Sequence, residues 1–198
     1  MRKLTLIYGL VLAAVLLYAL IARAEAAAYE LRPERSKLTF KGDSPLHGFT
    51  GTTSMIRAGE LTVDPEAGTL SAPVEITVPV LSLATGNEAR DHAVQYTLRD
   101  KDHPLLALRA VAIRRTEGGP DSGTYRLEGD VTVAGISRAF TADCRVVRGD
   151  GGVRVSGRLP LSLSMFELQP PPLARLMRLR DPVDVEFDTW WAETEARR

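Results

Sequence analysis

Gly152-Val153-Arg154-Val155-Ser156-Gly157-Arg158-Leu159-Pro160-Leu161-Ser162-Leu163 is the stretch that decides the fold. Val153, Val155, Leu159, Leu161 and Leu163 share one parity, while Arg154, Ser156, Arg158 and Ser162 hold the other. Successive side chains of an extended chain point to opposite faces, so the first set covers one face of a strand and the second meets water.

The same alternation recurs outward from this segment. Tyr125, Leu127, Val131 and Val133 oppose Arg126, Glu128, Asp130 and Thr132; Phe140, Ala142, Cys144 and Val146 oppose Thr141, Asp143 and Arg145. Val74, Ile76, Val78 and Val80 alternate with Glu75 and Thr77, and Val183, Val185 and Phe187 with Asp184, Glu186 and Asp188. Glycine-bearing turns divide the runs at Asp64–Gly68, Glu117–Gly123 and Gly149–Gly152, and Ala134-Gly135-Ile136 suits a tight hairpin. Eight strands are expected, near 37–42, 47–56, 58–63, 72–80, 105–115, 123–133, 138–148 and 152–163, with 183–191 as a ninth or as partner to the first.

Two segments break the pattern. Gly86–Leu98 lacks β-branched alternation and follows Thr85-Gly86-Asn87, a helix cap or turn, so a short helix or ordered loop over one barrel end is expected. Pro170-Pro171-Pro172 and then Leu173–Leu179 predict a stiff extended piece followed by one or two helical turns. Strands apolar on one face must cover it, by closing into a barrel or by pairing with a second sheet. Small barrels of about eight strands either fill their interior with side chains or hold one small ligand. Alternation leaves both choices open.

The chain of 198 residues suits one domain, and its 25 basic and 25 acidic residues exclude the basic footprint of a nucleic-acid binder. Arg2 and Lys3 precede nineteen uncharged residues, Leu4 to Ala22, and Ala22-Arg23-Ala24 is a small-x-small cleavage pattern. Residues 1–24 are therefore expected to be a signal peptide. The rival expectation is an uncleaved anchor through residues 4–22, because nineteen helical residues span roughly 28 Å. Either way the domain is exported, periplasmic or secreted when cleaved and held at the cytoplasmic membrane with the domain outside when not. Cys144 is the only cysteine, which rules out an internal disulfide, and its parity places it in the interior as a small hydrophobe.

No catalytic or metal-binding pattern emerges. His47, His92 and His103 are scattered without a ligand pair, and neither a nucleophile elbow nor a phosphate-binding glycine loop occurs. Neither a cofactor nor a metal is expected. Trp190 and Trp191 fall on opposite faces of the last strand, one outside and one in the core.

These features together resemble the YceI-like family over the whole mature chain. Tyr29–Pro33 with Ser36–Phe40 resembles its opening strand, and Val80–Asp91 its Thr-Gly-Asn-x-x-Arg-Asp signature, on Thr85, Gly86, Asn87, Arg90 and Asp91. His103-Pro104-Leu105, the hairpin Gly129–Arg138 and the closing Arg180–Phe187 follow in the family's order. Two departures stand out. His92 is displaced by one place, with Ala93 where the family has histidine, and Met165-Phe166-Glu167 replaces the family's Asp-Phe-Gly.

The resemblance implies an all-β, eight- to nine-stranded antiparallel lipocalin-like barrel with one or two short helices, over residues 29–192, followed by a tail at 193–198. It further implies an apolar lipid partner, an isoprenoid or other long-chain amphiphile, held without catalysis. The alternatives are a structural barrel with a filled core, or a lipid-modifying enzyme. The expected lining is Phe40, Phe49, Val74, Ile76, Val78, Leu106, Leu108, Tyr125, Leu127, Val131, Phe140, Ala142, Val155, Leu159, Leu161, Phe166, Val185 and Phe187. Ala142, the smallest of these, is where added bulk is expected to enter the interior. Whether the protein is a homodimer stays open.

Overall fold

The computed structural model describes residues 27–42, 48–64, 68–169 and 181–194. The expected leader or anchor, His47, the Pro170–Leu179 segment and most of the tail lie outside the described residues.

In chain order the strands are β1 (Ala27–Leu31), β2 (Lys37–Gly42), β3 (Phe49–Thr53), β4 (Arg57–Ala58), β5 (Leu61–Asp64), β6 (Thr69–Leu70) and β7 (Val74–Pro79). Helix α1 (Glu88–Thr97) follows, and then β8 (Leu105–Gly118), β9 (Ser122–Val133), β10 (Ile136–Gly149), β11 (Gly152–Ser162) and β12 (Pro182–Thr194). All belong to one antiparallel sheet in which β7 to β12 pair in sequence. β12 then pairs with both β1 and β2, so the last strand partners the first, as one of the two sequence alternatives expected.

The sheet curls until its ends meet. β3, β4 and β5 are pieces of one interrupted strand: β3 pairs with β2 and β5 with β1, while β4 pairs across the other side with β7. A reciprocal pair of hydrogen bonds between Thr52 and Ala84 extends that seam. With its edges paired in this way, the sheet has the closure that suits a lipocalin-like barrel.

Local chemistry explains the breaks. Pro33 opens a single 3-10 turn at Pro33–Arg35 that separates β1 from β2. Ser36 repairs the ladder there, its Oγ donating to the Arg32 carbonyl at 2.7 Å and accepting from the Trp190 N–H at 3.0 Å. Between β9 and β10 the reversal takes only Ala134 and Gly135, both left-handed at φ +49° and +79°. Two consecutive left-handed residues match the twist of the flanking strands.

Three expectations need correction. β1 is absent from the strands expected on alternation, because five residues with one charge, cut off by Pro33, carry too little of it, whereas the resemblance does place an opening strand at Tyr29–Pro33. The expected strand 58–63 is split, since Gly59 and Glu60 pass between β4 and β5. β12 continues through Thr194, two residues into the expected tail, where β1 supplies its partners Tyr29 and Ala28.

Face assignment follows the alternation. Along β10, Ala142 and Cys144 are buried while Thr141, Asp143 and Arg145 are exposed. The outer wall carries cross-strand pairs: Arg154 with Asp188, Arg158 with Glu186 at 2.7 Å and Lys41 with Glu186 at 2.9 Å. Hydrogen bonds from Arg154 and from Lys41 hold Asp188 and Glu186 below the usual carboxylate range. Trp190 is half-buried outside, with the Arg35 guanidinium 3.8 Å from its ring centre, and Trp191 is buried inside.

Candidate functional site: an apolar cavity in the barrel

The inward-facing residues do not meet at the barrel axis. They enclose a cavity of about 1180 Å³, above the range of roughly 300–1,000 Å³ usual for small-molecule sites. Ile76, Leu108 and Val131 form one row across β7, β8 and β9; Val155, Val185 and Phe40 line the facing wall. Leu106, Leu108, Leu127, Val155, Val185 and Phe187 point inward yet are only half-buried, since open space rather than another side chain lies in front of them.

The polar atoms on this wall are satisfied within it. Trp191 Nε1 donates to Thr189 Oγ1 at 3.0 Å, and that hydroxyl donates to the Val155 carbonyl at 3.0 Å. Such pairing leaves the lumen apolar.

Helix α1 borders the upper end, the end bearing the β9–β10 turn. Asn87, Ala89, Arg90, His92, Ala93, Val94, Tyr96 and Thr97 contribute to the lining. Asn87 caps the helix, accepting from the Arg90 N–H at 2.9 Å. Asp91 reaches back and accepts from Thr85 N at 2.8 Å and Thr85 Oγ1 at 2.5 Å, across Gly86 at φ +75°. Four of the five motif residues thus build the helix start. Arg90 is left to face the cavity, 5.2 Å from the centre of the Phe49 ring, with no carboxylate partner among the described residues. Phe166 and Leu168, both buried, pack with Val131 and Val133 beside the same opening.

Of the eighteen residues expected to line the interior, fifteen border this cavity; Tyr125, Phe140 and Ala142 do not. Tyr125 faces inward but sits at the lower end, opposite Cys144, where the barrel is filled. Phe140 packs against the cluster around Val131, Val133 and Phe166. Ala142 ends at its methyl group, and the longer Leu127 opposite it projects past it into the lumen. Of the motif residues, Asn87 and Arg90 border the cavity, while Thr85, Gly86 and Asp91 do not.

The expected helix over one barrel end is present as α1, but its residues were not expected in the lining, nor, among others, were Leu61, Leu70 and Ile113. The helix left one trace, Arg90, Ala93, Val94 and Thr97 at the spacing of a single helical face. Leu70 lies in a strand of only two residues, too short for any periodic signal. Trp191, expected in the core, is buried there and also borders the cavity. Among the described residues no group of three or more His, Cys, Asp or Glu side chains could hold a metal ion.

A crystal structure of Burkholderia cenocepacia BcnA is similar, with a TM-score of 0.71 at 19% identity, covering 81% of this chain and 99% of that one. A polyisoprenoid binding domain from Saccharophagus degradans, implicated in plant cell wall breakdown, gives 0.65 at 14% identity, covering 86% and 100%. The Campylobacter jejuni YCEI protein gives 0.57 at 18% identity, covering 74% and 85%. At such identities the likeness is one of fold. A comparison with curated proteins finds no match. The family model for the YceI-like domain matches residues 29–190, and the chain belongs to that family.

Proposed function

We propose that this domain is an exported, non-catalytic binding protein that holds an isoprenoid or other long-chain amphiphile inside its barrel. One observation carries the proposal: the inward parity ends in open apolar space instead of a packed core. Each buried methylene is worth about 0.8 kcal/mol, so some ten of them supply roughly 8 kcal/mol toward the ordering cost of binding. No bond-making group is required. The likeness to a polyisoprenoid binding domain supports the chemistry of the chain. Arg90, His92 and Thr97 in the lining support a polar end of the amphiphile at the α1 opening.

Export rests on Arg2, Lys3, the uncharged run and Ala22-Arg23-Ala24. A C-terminal reporter that works only in the cytoplasm should stay silent, and strong reporter signal would refute export. To test the binding, the protein purified without detergent is extracted with organic solvent and the extract analysed by mass spectrometry. A stoichiometric long-chain lipid is expected. A lipid-free protein that takes up neither a polyprenol nor a fatty acid on incubation would overturn the proposal.

A further inference from the structure

Three phenylalanines that border the cavity each lie across a glycine of the neighbouring strand. Phe40 stands directly opposite Gly51, Phe49 opposite Gly42 and Phe187 opposite Gly157. A Cβ built on Gly51 would lie 2.1 Å from Phe40 Cζ, one on Gly42 2.4 Å from Phe49 Cε1, and one on Gly157 2.6 Å from Phe187 Cζ. Each ring thus occupies the place of its neighbour's missing side chain. Phe40 and Phe49 meet edge to face, with centroids 6.3 Å apart and planes at 79°.

Gly129 shows that this is not a general habit of the barrel. It too stands opposite a phenylalanine, Phe140, yet a Cβ there would strike the Arg109 backbone carbonyl at 2.1 Å. Gly129 serves strand approach near the irregularity between Ala110 and Ala112. At Gly42 and Gly51 the three nearest atoms all belong to the neighbouring ring, whereas at Gly157 the Asp143 backbone carbonyl also lies 3.0 Å from the added Cβ. The three ring-on-glycine pairs all fall on the β11–β12–β2–β3 wall, facing the aliphatic row of Ile76, Leu108 and Val131.

We infer that Gly42, Gly51 and Gly157 set the bore of the cavity, and through it a preference for a methyl-branched polyprenyl chain over an unbranched chain of equal length. This inference rests on the lipid-holding reading above. A ring displaced by an alanine methyl has open lumen to swing into, and it would take the width that methyl branches need. A straight chain, being thinner, keeps its path. One methyl group in an apolar pocket is worth about tenfold or more in discrimination.

The test measures uptake of a polyprenol and of a straight-chain alcohol of equal length by wild type, Gly51→Ala, and Gly51→Ala combined with Phe40→Leu. Wild type should favour the polyprenol. Gly51→Ala should weaken polyprenol binding by about tenfold and leave the straight chain nearly unchanged. Phe40→Leu in the same chain should restore the polyprenol. Equal losses for both alcohols, or no change for either, would overturn the preference while leaving lipid binding intact. Failure of wild type to take up either alcohol would remove lipid binding and the preference together. A crystal structure of Gly51→Ala judges the bore without any ligand: the Phe40 ring turned into the lumen supports it, and a ring in place between separated strands refutes it. Gly42→Ala, read at Phe49 in the same way, stands in should Gly51→Ala fail to fold.

Discussion

The two ends of the barrel use the same alternation to opposite effect. At the lower end Tyr29, Tyr125, Cys144 and Val153 are all buried and the interior is filled. Tyr29 anchors this plug, its hydroxyl accepting from Arg148 Nη2 at 3.2 Å, with the guanidinium 3.8 Å from Glu193 and 3.9 Å from Asp121. Toward the upper end the inward positions are held by Leu106, Leu108, Leu127, Val155 and Val185, whose side chains stop short of one another. Parity decides which residues face inward, whereas side-chain reach decides whether the inside is full. A barrel plugged below and bordered above by a helix has the form of a deep apolar cup.

If that contrast is right, truncations at the two ends will differ in cost. Tyr29→Ala should lose about 3–5 kcal/mol, because a filled site cannot collapse around the void and the Arg148 contact goes with it. Leu108→Ala should cost about 1–2 kcal/mol, since part of its surface already faces open space and little packing is lost. Urea unfolding of both variants measures this, and equal costs would mean that the interior is packed alike throughout.

Cys144 probes the filled end from another side. Burial pushes its thiol up to about 11, with the Asp143 charge adding to the shift, so thiolate is scarce at neutral pH. Labelling of the folded protein should be slower by at least about a hundredfold than labelling in denaturant. Comparable rates would place Cys144 on an open face and contradict the plug.

The smallest effect belongs to the upper rim. Glu167, where the resemblance expects glycine, holds φ +53°, a left-handed conformation that costs a side-chain-bearing residue roughly 1–2 kcal/mol. Among the described residues its one ion pair is an exposed contact with Arg138 at 3.8 Å, and the bond from Arg99 goes to its backbone carbonyl. Glu167→Gly should therefore raise stability by about 0.5–1 kcal/mol, or roughly 1–4 °C in Tm. A fall in Tm would show that the side chain matters more to the rim than its backbone strain.

The same contrast separates what was legible in the sequence from what was not. β8 to β12 could be read from alternation and turn chemistry, because each is long and the three reversals from β8 to β11 carry glycine signals. The α1 cap at Asn87 and the Ala134-Gly135 hairpin were equally local. The closure was not, because it depends on β3 to β5 dividing their pairing between β2, β1 and β7. Nor could parity distinguish Tyr125, in the plug, from Leu127, in the open wall, since both face inward two residues apart. The share of α1 in the lining has the same origin: a polar helix expected over one barrel end becomes part of a lining only once the barrel beneath it is known to be hollow.

The most direct test of the hollow barrel is to fill it from a chosen point. Leu108→Trp adds bulk to the row that crosses the open wall, and Thr141→Phe adds similar bulk on the exposed outer face of β10. Uptake of a polyprenol by each variant is measured alongside its thermal unfolding. The account predicts that Leu108→Trp folds with a Tm close to wild type and loses most of its uptake, while Thr141→Phe keeps both. Unfolding of Leu108→Trp, or full uptake by a folded Leu108→Trp, would contradict the claim that the barrel interior is where the lipid lies.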